Sequence, residues 1–217
     1  MTPMNICAMA KIKGLQAIAV TDHNSARNLT VMEKAAKAQE LLLLPGIEIT
    51  TREEVHLLAY FPSVENALAM GDFLYAHLPD ISNNPRIFGE QLIIDADDAV
   101  ASIEDKLLVS ATDLTLNQTV REIIALNGLA VPAHINRGNN GMLINLGFLP
   151  DDVYFPALEV AQHLSVPQRI LKDRIVLHTS DAHRLGDISE AVHALEVSVF
   201  SIFGVLNAMG HGHVRLI

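Results

Sequence analysis

Five short runs of the chain finish an apolar stretch on imidazoles or carboxylates. They are AVTDHN with Asp22 and His23, PGIEITT with Glu48, EVHLLAY with His56, VPAHINR with His134, and LHTSDAH with Asp181 and His183. Imidazole nitrogen and carboxylate oxygen together suit Zn, Mn or Fe. Each residue alone has a plainer meaning. A single His beside a strand is usually hydrogen-bonded structure, and a single acid after a strand is usually a cap or a solvated charge. Five coincidences at matching positions of successive units argue for one shared site. A carboxylate such as Glu48 can bridge two cations; His56 and His134 would complete one ion's shell, and His23, Asp181 and His183 would serve neighbouring ions. Clustered cations lower the pKa of a bound water, giving hydroxide near neutral pH, and neutralise a phosphoryl group in the transition state. Arg137, three residues after His134, is placed to grip a substrate phosphate bidentately, with Arg184 a weaker candidate. Asn24 and Asn136 would bind substrate or fix loops. His178 reads as packed, and His77, His163 and His193 as structural or exposed. Ser180 has no recognisable base beside it, and no Gly-rich loop matches a phosphate-binding or dinucleotide fingerprint.

These groups need rigid mounts. Strand-length apolar runs alternate with amphipathic stretches, which predicts βα units and a mostly parallel sheet or barrel, with ligands beyond the strands' carboxyl ends. LQAIAVTD, LLLLPGIEITT, EVHLLAYF, LAVPAHI, ALEVAQ, RIVLHTSDAH, HALEVS and HVRLI read as strands. SARNLTVMEKAAKAQE reads as a helix capped by Ser25, SVENALAMGDFLYAHL as one capped by Ser63, LTLNQTVREIIALNG as one ending at Gly128, and VSVFSIFGVLNAMG as a late helix. Residues 80–112 break the rhythm and read as an inserted β-hairpin or lid, or as surface decoration.

The chain has 217 residues, half of them apolar, which suits one domain over 1–217. Net charge is −10 with neutral His, so phosphate backbones exert no long-range pull. Trp is absent, against a stacking platform for single strands. No apolar run approaches the ~20 residues of a spanning helix, and the N-terminal residues lack a signal-peptide pattern. With the lone Cys7, this predicts a soluble cytoplasmic protein with no membrane partner.

GLQAIAVTDHNS, LPGIEITT, VHLLAYF, PAHINR and TSDAH, in that order across nearly the whole chain, resemble the motifs of the polymerase and histidinol phosphatase (PHP) family of metal-dependent phosphoesterases. The resemblance implies a distorted (β/α)7 barrel with two or three divalent metal ions, with the inserted hairpin near 85–110. It implies that His23, Glu48, His56, His134, Asp181 and His183 are metal ligands. Asp22 matches the acid of the family's TDH motif, set behind the ligands, and joins Arg137 as the catalytic pair. One departure stands out. The family pattern opens with a strand ending in His-x-His, and nothing in this chain occupies that place. The expectation is a barrel lacking its first strand, with fewer ions, and with an exposed edge open to homodimerisation or strand exchange. The HGH at His211–His213 precedes its strand and would lie at the wrong end to substitute. The leading expectation is hydrolysis of a small phosphomonoester, or of a nucleotide or oligonucleotide-end phosphate, by metal-bound hydroxide. The alternatives are a non-catalytic metal-binding or assembly module, and an amidohydrolase-like enzyme cleaving a non-phosphate bond.

Overall fold

The structure, a computed structural model, describes residues 1–161 and 163–216, with Arg215 and Leu216 as backbone only. The strands are β1 (Ala17–Val20), β2 (Leu42–Thr50), β3 (His56–Tyr60), β4 (Leu92–Ile94), β5 (Val100–Ile103), β6 (Leu129–Pro132), β7 (Val153–Tyr154), β8 (Ala157–Glu159), β9 (Ile175–Leu177) and β10 (Arg215–Leu216). The helices are α1 (Pro3–Ile12), α2 (Leu29–Ala38), α3 (Val64–His77), α4 (Pro85–Phe88), α5 (Leu116–Ala125), α6 (Met142–Asn145), α7 (Gln168–Leu171) and α8 (Ile202–Ala208). None is long and apolar enough to cross a membrane.

The main sheet has the order β1-β2-β3-β6. β1 lies parallel to β2, but β3 runs antiparallel to both β2 and β6. The mostly parallel sheet read from the sequence is therefore corrected at its centre. The reversal has a local cause: residues 51–55 join β2 to β3 in a tight turn, closed by Thr51 N–H on the Val55 carbonyl and Glu54 N–H on that of Thr51. No helix intervenes, so no parallel crossover can form. A parallel pair, β8–β9, follows beyond β6; β7 pairs with β10, and β4 with β5 as an antiparallel hairpin. Among the described residues these sheets do not close into a barrel.

Most helices follow their sequence signals. Ser63 caps α3 by accepting from Asn66 N–H. Thr115 and Gln118 form a capping box on α5. That helix ends before Gly128, where a Cβ would sit 2.8 Å from both Ile123 and the Phe61 ring. α2 buries Leu29, Met32, Ala35 and Ala36 along one stripe. Its N-cap position is Asn28, not Ser25, because the chain turns once more after β1 and Ser25 is spent on Arg27 N–H. The late helix is also shorter than expected. Ser201 caps it at Gly204 N–H, and Gly204 lets the Val199 carbonyl come within 1.9 Å of where a Cβ would stand. HALEVS is not a strand, since no neighbour pairs with it and most of its residues are exposed. α1 had no counterpart in the sequence reading.

One core gathers Ile47, Ile49, Leu57, Phe61, Met70, Ile123, Leu129 and Phe155 around the main sheet. A second, smaller core locks α1 and α2 to β2 through Cys7, Ala10, Met32, Leu41 and Leu43. Each fully buried large aliphatic or aromatic side chain stabilises the fold by roughly 1.5–3 kcal/mol. These cores hold the strand ends still.

Candidate metal centre

The reversal of β3 builds the centre. Thr50 pairs with His56 in register, and Glu48 with Leu58. The end of β2 and the start of β3 therefore share one rim, with Glu48 and His56 on it. β1 reaches the same rim from the other side. Past Val20 the chain stays stitched to β2, with Glu48 N–H donating to the Asp22 carbonyl at 3.2 Å and Asn24 N–H to the Glu48 carbonyl at 2.8 Å. His23 thus lies beside Glu48 in a parallel bridge. The Asn24 amide then ties Thr50 N–H to the carbonyls of Leu108 and Ser110. His134 follows β6 with φ +27°, a backbone conformation uncommon outside glycine and a form of strain that concentrates at functional sites.

Glu48 is the hub. One carboxylate oxygen, Oε1, is 2.9 Å from His56 Nδ1 and 3.3 Å from His134 Nε2, and those two nitrogens are 3.2 Å apart. The other, Oε2, is 3.5 Å from His23 Nδ1. Ligand atoms of His23, Glu48 and His56 all lie within 4.8 Å of one another. His23 Nδ1 and His134 Nδ1 are buried with no hydrogen-bond partner. Two imidazole nitrogens and one carboxylate oxygen in a triangle cannot all be satisfied by protons, because two N–H groups aimed at one oxygen also face each other. The triangle does match the edge of a tetrahedral cation site, about 3.4 Å for ~2.1 Å bonds. The donor set therefore fits a divalent cation, with Glu48 able to face a second.

The electrostatics agree. Burial works against the charge of Glu48, but hydrogen bonds and charge from His134 and His56 outweigh it and hold the carboxyl below its ordinary range. Burial, with charge from His56 and His183, lowers His23 in spite of Glu48, keeping it in the neutral form that ligates. Burial also opposes charge on His134, yet its contact with Glu48 and the charges of Glu48 and Glu159 raise it overall. Asp22 is raised by burial, partly offset by a hydrogen bond from Asn28.

The other expected residues lie at the rim rather than in the hub. His183 is mostly exposed, its ring centroid 6.5 Å from that of His23, with Nδ1 2.9 Å from the Asp181 carbonyl. The Asp181 carboxylate is in an ion pair with the Arg137 guanidinium, so the expected ligand and the expected phosphate grip hold each other. Asn136 is a loop tie, binding the carbonyls of Ala161 and Leu164 and Ala161 N–H. His178 rests on the Val160 carbonyl and stacks with His193. His211 lies against the Asn127 carbonyl, before β6 and at the far end of that strand from His134.

One functional candidate escaped the sequence reading. Glu159, last residue of β8, is buried; it accepts His134 N–H at 2.8 Å and the Thr179 hydroxyl. Burial raises its carboxyl above the usual range. The available signal was an acid closing the apolar run PALEV, the pattern Glu48 shows in PGIEI. A cavity of about 770 Å³ opens on this ground. It runs from Asp22, His23, Glu48, Glu159 and Asp181 down the outer side of β1 toward α1 and the β4–β5 hairpin.

No protein-family model matches the chain, and no curated protein does. Solved structures do. The lesion-specific endonuclease Q of Pyrococcus furiosus superposes with a TM-score of 0.69 at 17% identity, over 100% of this chain and 53% of that one. A proposed metal-dependent phosphoesterase of Bifidobacterium adolescentis gives 0.56 at 21%, over 88% of this chain and 87% of that one. A two-domain Bacteroides vulgatus protein, with a predicted PHP-like metal-dependent phosphoesterase, gives 0.51 at 17%, over 99% and 59%. The chain spans about half the length of the endonuclease. At these identities the likeness is one of fold: the chain shares the mixed α/β fold of these structures.

Proposed function

We propose that the chain is a metal-dependent phosphoesterase acting on a small phosphomonoester or on a nucleotide or oligonucleotide-end phosphate. The observation that carries this reading is the triangle of Glu48 Oε1, His56 Nδ1 and His134 Nε2, with sides of 2.9, 3.3 and 3.2 Å. Divalent cations bound there would polarise a phosphoryl oxygen and make water acidic enough to attack near neutral pH. The chain's own residues divide the remaining work. His56, His134 and Glu48 would hold one ion, and Glu48 with His23 would face a second. Asp181 and His183 close the outer rim. Asp22, beside His23 in the chain and held by the Asn28 amide, is the acid set behind the ligands. Arg137 borders this rim in an ion pair with Asp181, so an arriving phosphate could exchange with Asp181 for the guanidinium. The cavity along β1 opens beside these strand ends.

The test is phosphate release from a panel of phosphomonoesters and 5′- and 3′-phosphorylated oligonucleotides, with Mn or Zn added. Turnover that requires the metal and disappears in Glu48→Gln supports the reading. No turnover with the ions demonstrably bound overturns it. That result would favour the non-catalytic metal-binding module, for which the mutual ion pair of Asp181 and Arg137 is the supporting observation.

A further inference from the structure

Glu159 belongs to no group of the proposed reaction, yet it accepts from the backbone of one ligand and from Thr179, two residues before the segment carrying two more. It is a carboxylate 5% exposed, with no cationic side chain among its hydrogen-bond partners. A buried carboxyl with no cation beside it is satisfied by the donors it accepts from, and here those donors belong to two separate strand ends. Oε2 accepts the main-chain N–H of His134 at 2.8 Å, and the Glu159 carbonyl accepts the next N–H, that of Ile135, at 3.0 Å. The two bonds clasp the amides on either side of the His134 α-carbon, where φ is +27°, and Arg137 N–H closes the turn on the His134 carbonyl at 2.9 Å. Oε1 accepts the hydroxyl of Thr179, two residues before Asp181. A single side chain thus fastens the end of β6 to the end of β9 across β8.

We infer that Glu159 is a positioning residue for the metal centre: its carboxylate holds His134 in its strained turn and sets the distance between His134 and the Asp181–His183 segment. The inference rests on the proposed metal centre. Its chemistry is hydrogen bonding to two donors rather than ligation. A glutamine can reproduce it, with its carbonyl on His134 N–H and its amide donating to a Thr179 hydroxyl that turns round. An alanine cannot, and would leave a buried N–H unsatisfied.

The experiment is Co²⁺ titration of the purified chain, followed by calorimetry and by the visible absorption of the ion, which reports coordination geometry independently of turnover. Wild type, Glu159→Gln, Glu159→Ala and Thr179→Val are compared. Partners of this kind, when removed, cost about 10–100-fold in metal affinity. The expected result is a loss of that order with an altered spectrum in Glu159→Ala. Thr179→Val should show a smaller loss in the same direction, and Glu159→Gln should stay within about threefold of wild type. If Glu159→Ala does not fold, Thr179→Val decides, and an unchanged affinity and spectrum there overturn the inference. Equal loss in the Gln and Ala variants also overturns it, since charge rather than hydrogen bonding would then be at work. A wild-type chain that binds no Co²⁺ sinks the metal centre itself. A wild type that binds, with an Ala variant identical to it, sinks only the role of Glu159.

Discussion

Replacing Glu48 by Gln removes the one carboxylate of the hub while keeping its shape. In the wild type a cation that binds the folded chain alone adds RT ln(1 + [L]/Kd), about 2.7 kcal/mol at a hundred times Kd. For a chain of this size 1 kcal/mol moves Tm by roughly 2–4 °C, so saturating Mn or Zn should raise Tm by about 5–11 °C. Glu48 approaches His56 and His134 with one oxygen and His23 with the other, at 2.9 to 3.5 Å. Its loss therefore strikes every ion the cluster could hold. If affinity falls a hundredfold, the same concentration equals Kd. The gain shrinks to RT ln 2, about 0.4 kcal/mol, or a shift of roughly 1–2 °C. The assay is differential scanning fluorimetry with and without metal, each variant referenced to its own chelated state. A Glu48→Gln chain that keeps the full wild-type shift would mean that cations bind elsewhere, and the triangle would have no function.

Three further outcomes follow from the same geometry. Because contact with Glu48 raises His134 despite its burial, protons compete with the cation; calorimetry should show affinity falling from pH 8 to pH 6, and a flat profile would contradict it. Burial raises the Asp22 carboxyl above the ordinary carboxylate range, so its charged form costs stability above the folded pKa and the cost vanishes as pH falls to the unfolded value. Metal-free Asp22→Asn should then melt above wild type at pH 8 and level with it near pH 4, while a lower Tm at pH 8 would show that the carboxylate is stabilising. At Gly141 an added Cβ would stand 2.2 Å from the Arg137 carbonyl and 2.9 Å from that of His134. Gly141→Ala should cost about 1–3 kcal/mol by overpacking, read by denaturant titration, and weaken Co²⁺ binding because the same loop accepts His56 N–H at Asn140; unchanged stability would mean the turn is slack.

The hub was legible because its side chains advertise themselves: His23, Glu48, His56 and His134 each interrupt an apolar run, and burial of such groups demands a reason. Their meeting was less so. Apolar runs look alike whichever way a strand points, and only the length of the 51–55 connection betrays that β3 turns back. Glu159 went unread because an acid closing a strand has many commonplace uses, and its partner is a main-chain N–H that leaves no trace in residue types. The pairing of Arg137 with Asp181 was equally invisible, being a contact across 44 positions. Ser25 misled by composition. It has the right chemistry for a cap, but the sequence does not record that the chain makes one more turn before Asn28.

The short 51–55 connection also decides how much of the protein must exist before a cation can be held. Glu48 and His56 lie eight positions apart on two strands in direct register, so half of the hub forms with a single local pairing. His134 joins only when β6 docks, across 78 positions from His56. A cation present during synthesis would find its first two ligands early, and would reward the later arrival of β6 with a third.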